Sequence, residues 1–139
     1  MRQPNITIRS LSGDRNSVVI KGIGLDEGTS EGFMIGADRI TIADITMHSM
    51  RRHAVAMKPG LDNDNILDNV YVYNLNVYDT GTQHIKAADS GINRDAVIAC
   101  SRLGYHPVRS EVTTLALSVS SKAATSSFVT TIYLSLIHI

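Results

Sequence analysis

The chain has 139 residues, with 43% apolar and 19% charged content, a length and composition that suit one globular domain and exclude wholesale disorder. Its 13 basic and 13 acidic residues cancel, which argues against a dedicated nucleic-acid binder or a membrane-surface module, since both lean on clustered Lys and Arg. A single cysteine, Cys100, excludes an internal disulfide framework and a Cys-based zinc site, while 15 Ile, 11 Val and 11 Thr against 3 Pro favour strands.

In chain order the first strand-like segment is NITIRSL, with Ile6 and Ile8 alternating with polar residues, followed by SVVIKG. Residues 40–59, ITIADITMHSMRRHAVAMKP, then match residues 70–89, VYVYNLNVYDTGTQHIKAAD, without a gap at an offset of 70 − 40 = 30. Ile40 pairs with Val70, Ile42 with Val72, Asp44 with Asn74, Ile45 with Leu75, Met47 with Val77 and Val55 with Ile85. Upstream, Ile6 falls on Ile40, Ile8 on Ile42, Ser10 on Asp44 and Leu11 on Ile45, and SVVIKG falls on HAVAMK with Val19 on Val55. Downstream, AVIACSRL sets Ile98 on Val72, Cys100 on Asn74 and Leu103 on Val77.

Within each repeat the apolar period is two, with a phase slip at Asp44 and Asn74. A helix would need spacings of three and four throughout. Two short strands meeting at a one-residue corner explain the slip, because Asn or Asp tolerates a left-handed backbone and can hydrogen-bond to its counterpart in the next coil. A third strand, HAVAM or QHIKA, and a long turn such as KPGLDNDN follow. One coil cannot bury its inward face alone, but stacked coils bury Ile, Val and Leu columns against their copies. The expectation is an all-β chain: a right-handed parallel β-helix, or solenoid, of about three to four coils from a longer protein. A leucine-rich repeat lacks its regularly spaced Leu here, and a helical repeat is contradicted by VYVYNLNVY.

GFMIGADRITIADITMHSMRRHAVAM followed by NVYVYNLNVYDTGTQHIKAAD resembles the right-handed parallel β-helix of the pectin-lyase-like superfamily, and more narrowly a group of bacterial secreted β-helix-repeat proteins. The resemblance covers roughly residues 4–106. It implies a secreted or periplasmic protein that binds acidic or neutral polysaccharide along an outer face. Lyases of this superfamily remove a proton next to a sugar carboxylate, with a cation, often Ca²⁺, to stabilise the intermediate and a Lys or Arg as base. The alternative is a non-catalytic structural, adhesin or tailspike-like module, so whether the chain is an enzyme stays open.

The third-strand register supplies the candidate site. With Val55, Met57, Ile85 and Ala87 inward, Ala54, Ala56 and Lys58 face outward and stack on His84, Lys86 and Ala88. Lys86 is the candidate base or carboxylate binder. Lys58 and His84 share its face, with His53 and Gln83 at the edge as further substrate-binding candidates. The competing reading of Lys86 is a solvated lysine. Asp62, Asn63, Asp64 and Asn65 form an oxygen-rich turn that suits Ca²⁺ in type but lacks the Gly and Glu of an EF-hand loop, and a plain polar turn accounts for it. Arg51, Arg52 and His53 read as an exposed charged loop. His48 lacks a second ligand at zinc spacing. Cys100 reads as a packed thiol at a corner.

The composition divides the chain. Residues 1–109 hold all the Gly, Asp and Asn, whereas residues 110–139 hold none of them and 12 Ser or Thr in 30 positions. Residues 134–139, LSLIHI, match the translation of a transposon-end adapter used in sequencing libraries, CTG-TCT-CTT-ATA-CAC-ATC. The expected organisation is therefore coils over 1–109 and a frameshifted or artefactual tail over 110–139, with a Ser/Thr-rich linker as the alternative. Lys122 and many hydroxyls interrupt any membrane-spanning reading of 112–137.

Overall fold

The computed structural model describes residues 1–25, 28, 31–60, 65–87 and 91–104; the expected tail over 110–139 lies outside them. The described strands are β1 (Ile6–Arg9), β2 (Val19–Lys21), β3 (Phe33–Ile35), β4 (Ile40–Ala43), β5 (Thr46–Met50), β6 (Val55–Met57) and β7 (Ile66–Asp68). They continue with β8 (Val70–Tyr73), β9 (Asn76–Thr80), β10 (Ile85–Ala87), β11 (Ile92–Arg94), β12 (Val97–Ala99) and β13 (Arg102–Gly104). The architecture is all-β, with no helix among the described residues.

Successive strands enter different sheets, and each pairs in parallel with the strand one repeat away. The sheet orders are β1-β4-β8-β12, β2-β5-β9-β13, β3-β6-β10 and β7-β11. Ile8, Ile42, Val72 and Ile98 lie in one register column of the first sheet, and Ile20, Met47, Val77 and Leu103 in one column of the second. The expected stacking of Ile42, Val72 and Ile98 therefore holds. Ile40, Ile42, Val70 and Val72 are wholly buried. Full burial of such a side chain stabilises by about 1.5–3 kcal/mol, so the middle repeats are the centre of the core.

The corner between the first and second strands behaves as its residue types require. Asp44, Asn74 and Cys100 adopt φ of 56°, 50° and 52°. Asn74 Nδ2 donates to Asp44 Oδ1 at 2.7 Å, and Arg9 meets Asp44 Oδ2 at 2.8 Å. Ser10 does not join this ladder. It is buried against Ser12 and Ser17, with hydroxyl separations of 2.8 and 2.7 Å. Cys100 is exposed rather than packed.

Two upstream alignments are corrected by the register. Val19 pairs with Thr46 and not with Val55, whose partner is Phe33. Thr46 N–H donates to the Val18 carbonyl, as Asn76 N–H donates to that of Ile45, so Val18 takes the place expected for Leu11. Leu11 is fully exposed in the inserted turn. Position-by-position matching missed this insertion because Ser-Leu resembles Asp-Ile in type.

Candidate functional site

The third sheet brings the candidate residues together from three separate parts of the chain. Its register sets Met34, Ala56 and Lys86 in one column between the columns Phe33, Val55, Ile85 and Ile35, Met57, Ala87. Glu31 lies just before β3, Arg52 and His53 just before β6, and Lys58 just after it.

Glu31 is the residue that sequence reasoning missed. Its side chain is only 7% exposed, with Arg52 Nη1 at 3.4 Å and Lys58 Nζ at 3.5 Å. Neither carboxylate oxygen receives a hydrogen bond from the described residues. The acid is thus held by charge rather than by directed bonds, and a buried carboxylate without such bonds depends strongly on its cations. Its distance in sequence from Arg52 and Lys58 leaves no local signal.

His53 sits at the centre of the group. It is 2% exposed, and its Nδ1–H donates to the Gln83 carbonyl at 2.9 Å, with Thr82 Oγ1 3.0 Å from the same nitrogen. Burial pushes its pKa below the ordinary value; the Gln83 hydrogen bond and Glu31 oppose this, while Lys86 and Arg52 reinforce it. The same interactions place Lys86, Glu31 and Arg52 within electrostatic reach of one imidazole. Of the expected site residues, Gln83 meets His53 through its main-chain carbonyl, Lys86 acts on His53 electrostatically, and Lys58 pairs with Glu31.

The expected open ledge is not what surrounds them. Ala54 and Ala56 are wholly buried, and His84 is 4% exposed. His84 Nδ1 lies 2.6 Å from Thr80 Oγ1, and burial pushes its pKa down to about 4, against the opposing charge of Asp79. A neutral, enclosed imidazole is a packing and hydrogen-bonding element, not an exposed sugar contact. A cavity of about 250 Å³ opens beside Glu31, walled by Ile20, Gly22, Phe33, Met47 and Met50.

The remaining candidates separate from this group. Arg51 donates from Nη1 to the Gly28 carbonyl at 2.6 Å. Asp62, Asn63 and Asp64 lie outside the described residues, and no three His, Cys, Asp or Glu side chains converge as a metal site among the described ones. His48 stacks on Tyr78.

No protein-family model, curated protein or solved structure matches the chain. The chemistry of the site therefore has to be argued from its own residues. Arg52 and Lys58 are both paired with Glu31, Lys86 acts on His53, and burial pushes both histidines towards neutrality. A group so charged favours an anion carrying oxygen acceptors.

Proposed function

We propose that this chain is a section of a right-handed parallel β-helix of the pectin-lyase-like kind, about three to four coils of a longer secreted or periplasmic protein, which binds anionic polysaccharide beside β6 and β10. The observation that carries the reading is the pairing of Arg52 and Lys58 with one buried carboxylate, Glu31, beside His53, on which Lys86 also acts electrostatically. Strands about 4.8 Å apart offer such groups at intervals that one sugar residue spans. Glu31 fixes two of the cations, so they meet a ligand carboxylate with less side-chain entropy to lose.

Binding without cleavage is the better-supported form of this reading. A lysine base needs burial or nearby positive charge to approach neutrality. His84, the expected source of that charge, is neutral at pH 7 because burial pushes its pKa down to about 4. Lys58 is ion-paired with Glu31 at 3.5 Å.

The test is calorimetric titration of the full chain with an oligogalacturonate and with a neutral oligosaccharide of equal length, at low and high salt. Lys86→Ala should weaken oligogalacturonate binding about fivefold, as befits a partly exposed ionic contact. High salt should weaken it further. Equal affinity for the anionic and neutral sugars would overturn the reading.

A further inference from the structure

The turn inserted between β1 and β2 runs across the stack of repeats. Register sets Arg9 on Ala43 and Val19 on Thr46, so the path that takes two steps from Asp44 to Thr46 takes nine from Ser10 to Val19. Part of the added length lies over the corners of the repeats that follow. In the second repeat, Thr46 Oγ1 donates to the Arg15 carbonyl at 2.9 Å. Arg15 Nη1 then donates to the Leu75 carbonyl of the third repeat at 3.3 Å and to the Cys100 carbonyl of the fourth at 3.4 Å. A side chain of the first repeat thus holds main chain of the fourth, 85 positions away in sequence.

The turn's own bonds fix the place from which Arg15 reaches out. The hydroxyls of Ser10, Ser12 and Ser17 lie 2.7–2.8 Å from one another. Ser17 Oγ donates to the Asp14 carbonyl at 2.8 Å, and the Asn16 N–H donates to Asp14 Oδ1 at 2.9 Å. A turn tied down in this way leaves Arg15 less freedom to lose when it makes its contacts. One guanidinium nitrogen carries two protons and can serve both carbonyls, and its charge strengthens each contact beyond that of a neutral amide. The Leu75 carbonyl also accepts the Arg102 N–H at 2.8 Å, a main-chain link between the third and fourth repeats. The guanidinium joins that link at its acceptor.

We propose that residues 12–17 form a clasp that couples the first repeat to the fourth, with Arg15 as its pin. Repeats that touch only their neighbours let one end of a stack open without disturbing the other. A side chain that spans the stack removes this independence. The fourth repeat cannot part from the third at Leu75 without also releasing the turn of the first. The clasp lies on the first two sheets and stands whatever ligand the Lys86 face takes.

Amide hydrogen exchange of the full chain, resolved by residue, tests the coupling. Arg15→Ala should speed exchange of the Arg102 amide about fivefold and leave that of Val55, in the third sheet, within about twofold. Ser17→Ala loosens the turn and keeps Arg15, and should speed exchange at Arg102 about threefold. Combined with Arg15→Ala it should add nothing there, because both changes act through one contact. Unchanged exchange at Arg102 in Arg15→Ala, acceleration confined to β1 and β2, or equal acceleration at Val55 would overturn the clasp, as would additive effects in the double variant. If Arg15→Ala does not fold, Arg15→Gln decides by the same readouts, because its side chain is too short to span Leu75 and Cys100.

Discussion

His84 is a buried histidine whose pKa burial pushes down to about 4. Thr80 Oγ1 donates to the Thr82 carbonyl at 2.9 Å, so its lone pair is left to accept the His84 Nδ1–H at 2.6 Å. That bond suits the neutral ring. Because the folded pKa, about 4, lies below the unfolded value near 6.5, the unfolded chain binds the extra proton in between. The contribution is complete above about pH 6.5 and is lost as pH falls towards 4. Chemical denaturation at pH 7 and pH 4.5 should show about 2–3 kcal/mol more loss in the unaltered chain than in His84→Gln. Equal losses in the two proteins would mean that His84 takes up its proton without disturbing the fold.

Glycines show how differently neighbouring elements constrain one residue type. A Cβ at Gly32 would collide with the Ala54 carbonyl and Met47 Cε, and one at Gly81 with the Arg51 carbonyl, whereas one at Gly104 meets nothing within 4 Å among the described residues. Gly32→Ala should therefore cost about 2 kcal/mol or more, since backbone cannot yield as a side-chain tip does, and Gly104→Ala should change unfolding free energy by less than about 0.5 kcal/mol. Comparable losses would contradict the tight approach at Gly32. What was legible from sequence follows the same division. The columns through Ile42 and Val72 were readable because inward residues recur at period two and repeat at fixed offsets. The left-handed corner was readable at Asp44 and Asn74 because those types favour it. A second left-handed series before the first-sheet strands, at Asn5, Arg39, Asn69 and Asp95, escaped because Arg39 breaks the pattern of types. The two-stranded sheet of β7 and β11 escaped too, since three-residue strands carry almost no periodicity. Lys58 and Lys86 were singled out through the repeat offset, while Glu31 meets Lys58 only through the fold.

The molecule as a whole distributes stability by the number of neighbours each repeat possesses. Ile42 is flanked by Ile8 on one side and Val72 on the other and is wholly buried. Ile8 occupies the same column at the sheet's edge, with Ile42 its only register partner among the described strands, and is half-buried. In parallel sheets whose strands pair only across successive repeats, energy accumulates between nearest neighbours. Truncation in the middle therefore removes two contacts and leaves a cavity that both flanking repeats hold open, whereas truncation at the edge removes one and leaves a dent that solvent or adjoining chain can fill. Ile42→Ala should cost about 3–4 kcal/mol and Ile8→Ala about 1–2 kcal/mol in denaturant unfolding. Hydrogen exchange should follow the same gradient, with the amides of β4 and β8 slower than those of β1 and the edge strand β2. Equal costs at the two positions, or faster exchange in β8 than in β1, would show that the repeats unfold as one indivisible unit and that position in the stack does not set local stability.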